Sequence, residues 1–509
     1  MGEIDFQTTG LEAAQADFKK GLLLLHSFEY PDAREAFLEA QEIDSTYAMA
    51  YWGEAMTYNH GLWRQQDYEE GKAALLKLGE TPELRLAKAG TPLEKDLLQA
   101  TEILYGEGTK QERDQAYSEY LGTLYEKYKG NQEVAAFYAL SLLGAVPVGR
   151  DEEAYGKGAR VAQGILNENP NHPGALHYLI HSYDDPDHAM LALSAAKSYS
   201  KVAPDAEHAL HMPSHIYVAL GMWKEVVASN EASYAASVKR MEEKGLNNDA
   251  RGYHAFHWLL YGYLQQGRLQ DARKILTDVQ SYVQDTSSKR GRGYLIEMKA
   301  TYLMETDDWS GDFVDLDAEK EDLNIVTQTL FHFVEGMKAF HQNDADQLAA
   351  TIKLMEKNRK TASLLVTNKG IPMCSASANR QVPNQLDLDQ AEILEMELRA
   401  FEGWLKGDKA QTESWLKKAT EKEDNISYAY GPPTIAKPTH ELYGDWLLEQ
   451  GKAQAALEQF DAALYRGPKR VHALKGKMQA AKMLGDEALI QEIETIFQEI
   501  QEGIGGKSI

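Results

Sequence analysis

Apolar residues recur along most of the chain at every third or fourth position, with polar residues between them. This spacing places the apolar side chains on one face of an α-helix, which turns once in about 3.6 residues. No run alternates Val, Ile or Thr with polar residues between Asn-Gly turns, so the sequence carries no strand signal. The pattern predicts an all-α protein.

The helical pattern is repeated, and its clearest copy is HELYGDWLLEQGKAQAALEQFDAALYRGP at residues 440–468. Small residues stand where two helices must approach closely, an aromatic residue fills the gap, and a proline ends the second helix. These features resemble the tetratricopeptide repeat (TPR), a helix pair of about 34 residues. The positions that carry the resemblance are Gly444, Leu447, Gly451, Ala456, Phe460, Ala463 and Pro468.

The same frame returns elsewhere in the chain. Strong copies contain Gly21, Ala33, Phe37 and Ala40, then Gly53, and later Tyr263, Gly267 and Ala272. Weaker copies are predicted at 92–128, 132–168, 292–321, 328–358, 388–422 and 471–505. The resemblance implies a right-handed TPR-like superhelical solenoid of about twelve antiparallel helix pairs, each buried against its neighbours.

One stretch interrupts the array. Residues 361–387 contain two prolines, a glycine and many small polar side chains, and they predict a long irregular loop or lid. This loop separates an N-terminal and central array at 1–360 from C-terminal repeats of the same solenoid at 388–509. It also holds the single cysteine, Cys374, which is expected to be an inert loop residue.

Histidines are concentrated in three consecutive predicted units. The TPR resemblance implies that positions 2, 5 and 9 of each first helix face the concave groove, and histidine fills seven of these nine positions. With 15 histidines in 509 residues, chance would place about 0.3 there. The seven residues are His177, His181, His208, His211, His215, His254 and His257.

Such a cluster favours metal binding. Neutral imidazole is the commonest metal ligand, and His177 with His181, like His211 with His215, has the i,i+4 spacing that presents two nitrogens to one ion. Imidazoles without thiolates suit copper, zinc, nickel or iron, at a mononuclear or dinuclear site. Additional candidate ligands are Glu297, Glu54 and His60. His172 and His188 occupy loop-like positions, where solvent exposure is expected.

Two other interpretations of the cluster stay open. Histidines on apolar helix faces are commonly hydrogen-bonded core residues, and TPR grooves commonly bind peptides. The first functional hypothesis is therefore a metal-binding TPR protein, extending to a metalloenzyme that acts on a small molecule. The second is a non-catalytic scaffold that binds a peptide or protein segment in its groove. No catalytic residue can be named from the sequence.

Net charge and composition limit the classes of partner that the chain is expected to bind. The formal charge of −25 disfavours nucleic acid and anionic membrane surfaces. No segment of about 18 apolar residues predicts membrane insertion, and a composition of 43% hydrophobic and 26% charged residues is typical of a soluble globular protein. The sequence as it stands indicates a cytoplasmic location, or an exported one if a leader precedes it. Segments such as HALHMPSHIYVALG and YHAFHWLLYGYLQQGR resemble uncharacterised bacterial TPR proteins with an HMPSHIY-type signature.

Overall fold

The computed structural model describes residues 1–367 and 382–502. Within these ranges the chain forms 25 α-helices, three short 3₁₀-helices and one two-stranded hairpin. The prediction of an all-α, TPR-like array of helix pairs is confirmed. Cys374, the middle of the predicted loop and the C-terminal tail lie outside the described residues.

The described chain divides into two compact units. The first comprises Met1–Tyr183 and Leu191–Pro213, and the second comprises Asp184–Met190 and almost all of the described chain from Ser214 onward. Helices of the first unit are α1 (Gln15–His26), α2 (Tyr30–Ile43), α3 (Ala48–Met56), α4 (Tyr68–Leu78), α5 (Pro82–Leu86), α6 (Pro92–Leu104), α7 (Lys110–Lys127), α8 (Gln132–Gly144), α9 (Glu152–Glu168), α10 (Pro173–Ser182), α11 (Ala189–Val202, which begins in the second unit) and α12 (Glu207–His211).

The second unit continues the helical array. Its helices are α13 (Pro213–Ala219, whose first residue belongs to the first unit), α14 (Trp223–Glu243), α15 (Tyr253–Gln265), α16 (Leu269–Asp285), α17 (Lys289–Thr306), α18 (Ile325–His341), α19 (Ala345–Ser363), α20 (Gln385–Leu405), α21 (Lys409–Asp424), α22 (Thr439–Glu449), α23 (Ala453–Arg466), α24 (Val471–Leu484) and α25 (Glu487–Glu502). Short 3₁₀-helices cover Glu12–Ala14, Gly61–Trp63 and Asn248–Ala250. Among the described residues, no helix is both long and apolar enough to cross a bilayer.

The small-residue pattern of the repeat has the packing role that the sequence predicts. In the first unit the ring of Phe37 lies so close to Gly53 that a Cβ there would stand 2.4 Å from it, and Gly21 lies on the same ring. In the second unit Phe460 contacts Gly444 and Gly476 in the same way, at 2.7 and 2.2 Å from the added Cβ atoms. In both of these helix pairs, one aromatic ring therefore joins the pair to the helix that follows it.

One predicted pair is wrong. The copy at 292–321 supplies only α17, because no helix follows it before α18. The intervening residues are held by burial of Phe313, Val314 and Leu316, and the ammonium group of Lys299 donates a hydrogen bond of 2.7 Å to the carbonyl oxygen of Leu316. An irregular segment with a few buried apolar side chains thus takes the place of a second helix after α17.

A short hairpin follows α3 in the first unit. Its strands, β1 (Asn59–His60) and β2 (Gln65–Gln66), pair antiparallel around the 3₁₀-helix Gly61–Trp63. Arg64, which has a left-handed backbone conformation with φ 54°, donates from Nε to the carbonyl oxygen of Val146 at 2.8 Å. This hydrogen bond fixes the hairpin to the residues after α8.

Candidate metal centre

Three of the seven predicted histidines come together in the first unit. His177 and His181 lie one turn apart on α10, and His208 lies on α12. One potential ligand nitrogen from each residue lies within 4.8 Å of those of the other two. The Nε2 atoms of His177 and His208 are 3.2 Å apart, close to the roughly 3.3 Å that separates two nitrogens on one tetrahedral zinc ion. We call these three residues the histidine triad.

The helices that carry the triad have well-defined starts. Pro173 occupies the first turn of α10, where its missing N–H costs no hydrogen bond. At the start of α12, the backbone N–H of His208 donates to the Glu29 carboxylate at 2.9 Å. These two features fix where α10 and α12 begin, and with them the positions of the triad histidines. His177 and His181 are almost completely buried.

The tautomer of His177 follows from its second contact. Its Nδ1 atom lies 2.7 Å from the backbone carbonyl oxygen of His26, at the end of α1. A carbonyl oxygen only accepts hydrogen bonds, so Nδ1 carries the proton and Nε2 carries the lone pair. The lone pair therefore faces His208. Metal-binding histidines are commonly oriented by a hydrogen bond of this kind.

Aromatic side chains surround the triad on one side. Phe28, Tyr30, His60 and Trp63 pack on one another, and we call them the aromatic wall. The ring centroid of Phe28 lies 4.2 Å from that of His177, 5.5 Å from His208 and 6.3 Å from His181. Trp63 meets His208 edge-on at 5.8 Å. The wall therefore places low-polarity surface against one side of the imidazoles.

Phe28 reaches this position through an unusual backbone conformation. Its φ angle is 57°, a left-handed conformation that is a genuine outlier for a bulky residue. The turn between α1 and α2 thereby directs the ring onto all three imidazoles of the triad. The sequence gives no signal for this contact of Phe28 with the histidines, because a position between two predicted helices is typical of an ordinary turn.

Beside the triad lies a second group that the sequence did not reveal. Glu133 accepts hydrogen bonds from His26 Nε2 at 2.7 Å and from His172 Nε2 at 3.1 Å. The expectation that His172 is exposed is wrong: its side chain is fully buried, and its Nδ1 accepts from the Ala175 N–H at the start of α10. His172 therefore caps α10 from inside the protein. His188 is partly exposed, as expected, and bonds Asp185.

Charges in this second group are compensated by hydrogen bonds. Burial alone would raise the pKa of the Glu133 carboxyl, but His26 and the hydrogen bonds from both imidazoles lower that pKa to about 2. Burial lowers the pKa of His26 below its usual value. With His26 neutral, its Nδ1 accepts from the Tyr178 hydroxyl at 2.9 Å. Although His26, Glu133 and His172 have the spacing of metal ligands, their proton positions are accounted for by these bonds, so the group supports α10 structurally.

In the second unit, the structure places two further predicted histidines together. His215, on α13, lies 3.1 Å through Nδ1 from a carboxylate oxygen of Asp184, and both side chains are buried. A ligand nitrogen of His215 lies within 4.8 Å of one of His254 on α15. The imidazole of His215 packs against Trp258 and Tyr430, with ring centroids 4.6 and 4.4 Å apart. Asp184 is a residue that the sequence analysis missed.

His257 has different surroundings within the second unit. Its Nε2 lies 2.8 Å from the Thr301 hydroxyl, and its Nδ1 lies 3.6 Å from the Glu297 carboxylate. Burial lowers the pKa of His257 to about 4, so this imidazole is neutral at pH 7. The predicted ligand Glu297 thus lies beside His257.

The remaining candidates in the first unit are His211, His60 and Glu54. His211 follows His208 on α12, with ring centroids 6.2 Å apart. His60 donates from Nε2 to the carbonyl oxygen of Thr57 at 3.1 Å, and burial lowers its pKa to about 4. Glu54 pairs with Lys77 at 2.5 Å and accepts from Gln41 at 2.8 Å. Glu54 is therefore a buried carboxylate that pairs with a half-exposed lysine.

Comparisons with known proteins give matches among solved structures only. No protein-family model matches the sequence, and no curated protein matches it. Matching solved structures include the APC/C hetero-tetramer Cut9–Hcn1, at 11% identity over 94% of this chain and 78% of that one, with a TM-score of 0.38. Yeast Tom70 matches at 12% identity over 95% and 99%, with a TM-score of 0.34.

A third match carries the repeat in its title. The TPR domain of P58(IPK) is 12% identical over 93% of this chain and 98% of that domain, with a TM-score of 0.22. Similarity at this level concerns the fold and says nothing about a ligand. The kinship with bacterial proteins of the HMPSHIY type stays a prediction.

Proposed function

We propose that the first unit binds a transition metal ion through His177, His181 and His208. The observation that carries the proposal is the 3.2 Å approach of two Nε2 atoms, one of which has its lone pair directed inward by the bond from Nδ1 to the His26 carbonyl oxygen. Without a metal, two facing imidazole nitrogens must share one proton. A metal ion can accept both lone pairs and that of His181 as well.

The donor set limits which metal fits. Three neutral imidazoles suit zinc, copper or iron, whereas magnesium and calcium require oxygen ligands. The formal charge of −25 attracts cations toward the chain, although salt screens that attraction beyond about 10 Å. Three protein ligands leave a position for water or substrate, which is the arrangement of catalytic zinc sites. Metal-activated attack on a small molecule is therefore the reaction class that this proposal implies.

Metal analysis tests the proposal directly. Protein purified without an affinity tag is stripped with a chelator, loaded with zinc, and assayed for bound metal and for affinity. Tight binding of zinc is expected in the wild type, and His177→Ala should weaken it by on the order of 100-fold or more. His341→Ala is the matched control, because His341 packs against Trp309 in the second unit and is not a proposed ligand.

Two outcomes would contradict the metal model. Zinc affinity that is unchanged in both His177→Ala and His208→Ala, with the fold intact by circular dichroism, would exclude the triad as a site. A wild-type protein that binds no zinc, copper or iron, but binds a peptide in its groove, would favour the non-catalytic scaffold.

A further inference from the structure

The second unit contains a carboxylate–imidazole pair that is oriented as metal-binding histidines are. Asp184 accepts a hydrogen bond from His215 Nδ1 at 3.1 Å. Their side chains are 1% and 2% exposed, so water does not weaken this bond. The pairing assigns the proton of His215 to Nδ1 and its lone pair to Nε2, on the edge of the ring away from Asp184.

His254 approaches the same imidazole from α15. One of its nitrogens lies within 4.8 Å of a nitrogen of His215, and its Nδ1 lies 3.4 Å from the hydroxyl of Tyr294. Two nitrogens on one zinc ion lie roughly 3–4 Å apart. The upper bound of 4.8 Å is compatible with this spacing, and a second partner orients each ring, Asp184 for His215 and Tyr294 for His254.

We infer that His215 and His254 bind a transition metal ion in the second unit, with Asp184 as the residue that orients His215. Carboxylate–histidine–metal chains of this kind fix the ring, select the tautomer and increase the basicity of the ligating nitrogen. Two imidazoles leave positions for water or other oxygen ligands, which suits zinc or copper. The two proposed ligands and the orienting carboxylate are different residues from those of the histidine triad.

The surroundings of His215 support a fixed rather than a mobile imidazole. Its ring packs against both Trp258 and Tyr430, with interplanar angles of 25° and 38°. The neighbour of Tyr430, Gly431, packs on Trp258 so closely that a Cβ would lie 2.4 Å from the indole. Trp258 also lies 5.5 Å from the ring of His254. The indole is therefore in contact with both proposed ligands.

Zinc stoichiometry separates the two proposals. The full-length apoprotein should bind two equivalents of zinc, and one equivalent should remain in His177→Ala and in His254→Gln. Asp184→Asn should retain the fold and lower the affinity of the second equivalent by about 10–100-fold. Thermal unfolding of each variant without metal shows whether a loss of zinc reflects a loss of structure.

Each pattern of results supports or overturns the inference. One equivalent that His177→Ala removes and His254→Gln retains overturns the second site and leaves the first in place. The reverse pattern overturns the triad and not this site. A single equivalent that either variant removes overturns the claim of two ions, and unchanged affinity in a folded Asp184→Asn overturns the orienting role of Asp184.

Copper provides an independent measurement. Bound Cu²⁺ quenches the fluorescence of a nearby indole, so the second equivalent should reduce the emission of Trp258. Trp258→Phe should remove that part of the quenching while His254→Gln removes both the quenching and the binding. Quenching of equal size in wild type and Trp258→Phe would contradict a copper ion beside this indole.

Discussion

The indole of Trp63 meets the imidazole of His208 edge-on, at an interplanar angle of 82° and a centroid separation of 5.8 Å. His208 is the partly exposed member of the histidine triad, and Trp63 comes from the hairpin beside it. A tryptophan in contact with a proposed ligand should report on occupancy of the metal site. This relationship gives the first prediction.

Copper bound at the triad should quench Trp63. Titration of the apoprotein with Cu²⁺ is expected to lower the intrinsic fluorescence, and Trp63→Phe should remove part of that decrease without changing the amount of copper bound at the triad. Trp415→Phe is the control, because this indole packs on α21 against Lys418. Identical quenching curves for wild type and Trp63→Phe would argue against copper beside His208.

The second prediction concerns the backbone of Phe28. Truncating this buried ring should cost about 3–5 kcal/mol in Phe28→Ala. Phe28→Gly should be more stable than Phe28→Ala by about 1 kcal/mol, because an alanine at φ 57° pays the left-handed cost that glycine avoids. Urea unfolding of both variants measures the difference.

Phe137 is the control for Phe28, because the stability order of its alanine and glycine variants should be reversed. It is buried within α8, where glycine is the poorer residue, so Phe137→Gly should be less stable than Phe137→Ala by about 1 kcal/mol. If both positions favour alanine, the left-handed conformation of Phe28 is incorrect.

A third prediction concerns the carboxyl of Glu397 on α20. This side chain is fully buried, and neither carboxyl oxygen has a hydrogen-bond partner in the described chain. Burial, with a smaller contribution from Glu423, raises the pKa of Glu397 well above its usual value. The unfolded chain loses this proton near pH 4.5 and the folded chain keeps it, so stability contributed by Glu397 falls as the pH rises above about 4.5.

Glu397→Gln should therefore be more stable than the wild type at pH 8, by about 1–3 kcal/mol, and the difference should shrink toward pH 4. Thermal unfolding across this pH range measures it. Glu402→Gln, at a partly exposed position of the same helix where the carboxylate pairs with Lys406, is the control and should give no such trend. A destabilised Glu397→Gln at pH 8 would mean that the carboxyl is ionised and stabilised by an opposite charge.

The fourth prediction concerns the aromatic ring that joins neighbouring repeats. Gly476→Ala should destabilise the protein by about 1–3 kcal/mol, because its Cβ would stand 2.2 Å from Phe460. Gly293→Ala, on α17 with open space around the position, should instead gain about 1 kcal/mol from helix propensity. Differential scanning calorimetry of both variants tests this contrast, and an equal effect at the two positions would contradict it.

Local patterns explain why the repeat could be predicted from the sequence. The contacts of Phe460 with Gly444 and Gly476 are made between residues of adjacent helices, and such contacts leave a regular spacing of small and large residues. The i,i+4 spacing of His177 and His181 is equally local, so their shared helix face was predictable. The pair expected at 292–321 failed because apolar spacing does not distinguish a second helix from an irregular segment that also buries apolar side chains.

Contacts between residues far apart in the sequence explain which parts of the site could not be predicted. His26 and Glu133 are 107 positions apart, and no periodicity relates them. His172 was assigned to the surface because it occupies a loop-like position, although the same position allows it to cap α10 from the interior. Asp184 was overlooked because an acidic residue after a helix is ordinarily a solvated loop residue, and only the folded chain shows His215 beside it.

His26 takes part in two sets of contacts through two different chemical groups. Its ring belongs to the carboxylate network, while its main-chain oxygen accepts a hydrogen bond from Nδ1 of His177. Every amino acid at this position has the same main-chain oxygen. Substitution of residue 26 therefore keeps the hydrogen bond that directs the lone pair of His177 inward. Alanine substitution at His26 would therefore leave the hydrogen bond to His177 in place, and only displacement of the last turn of α1 would remove it.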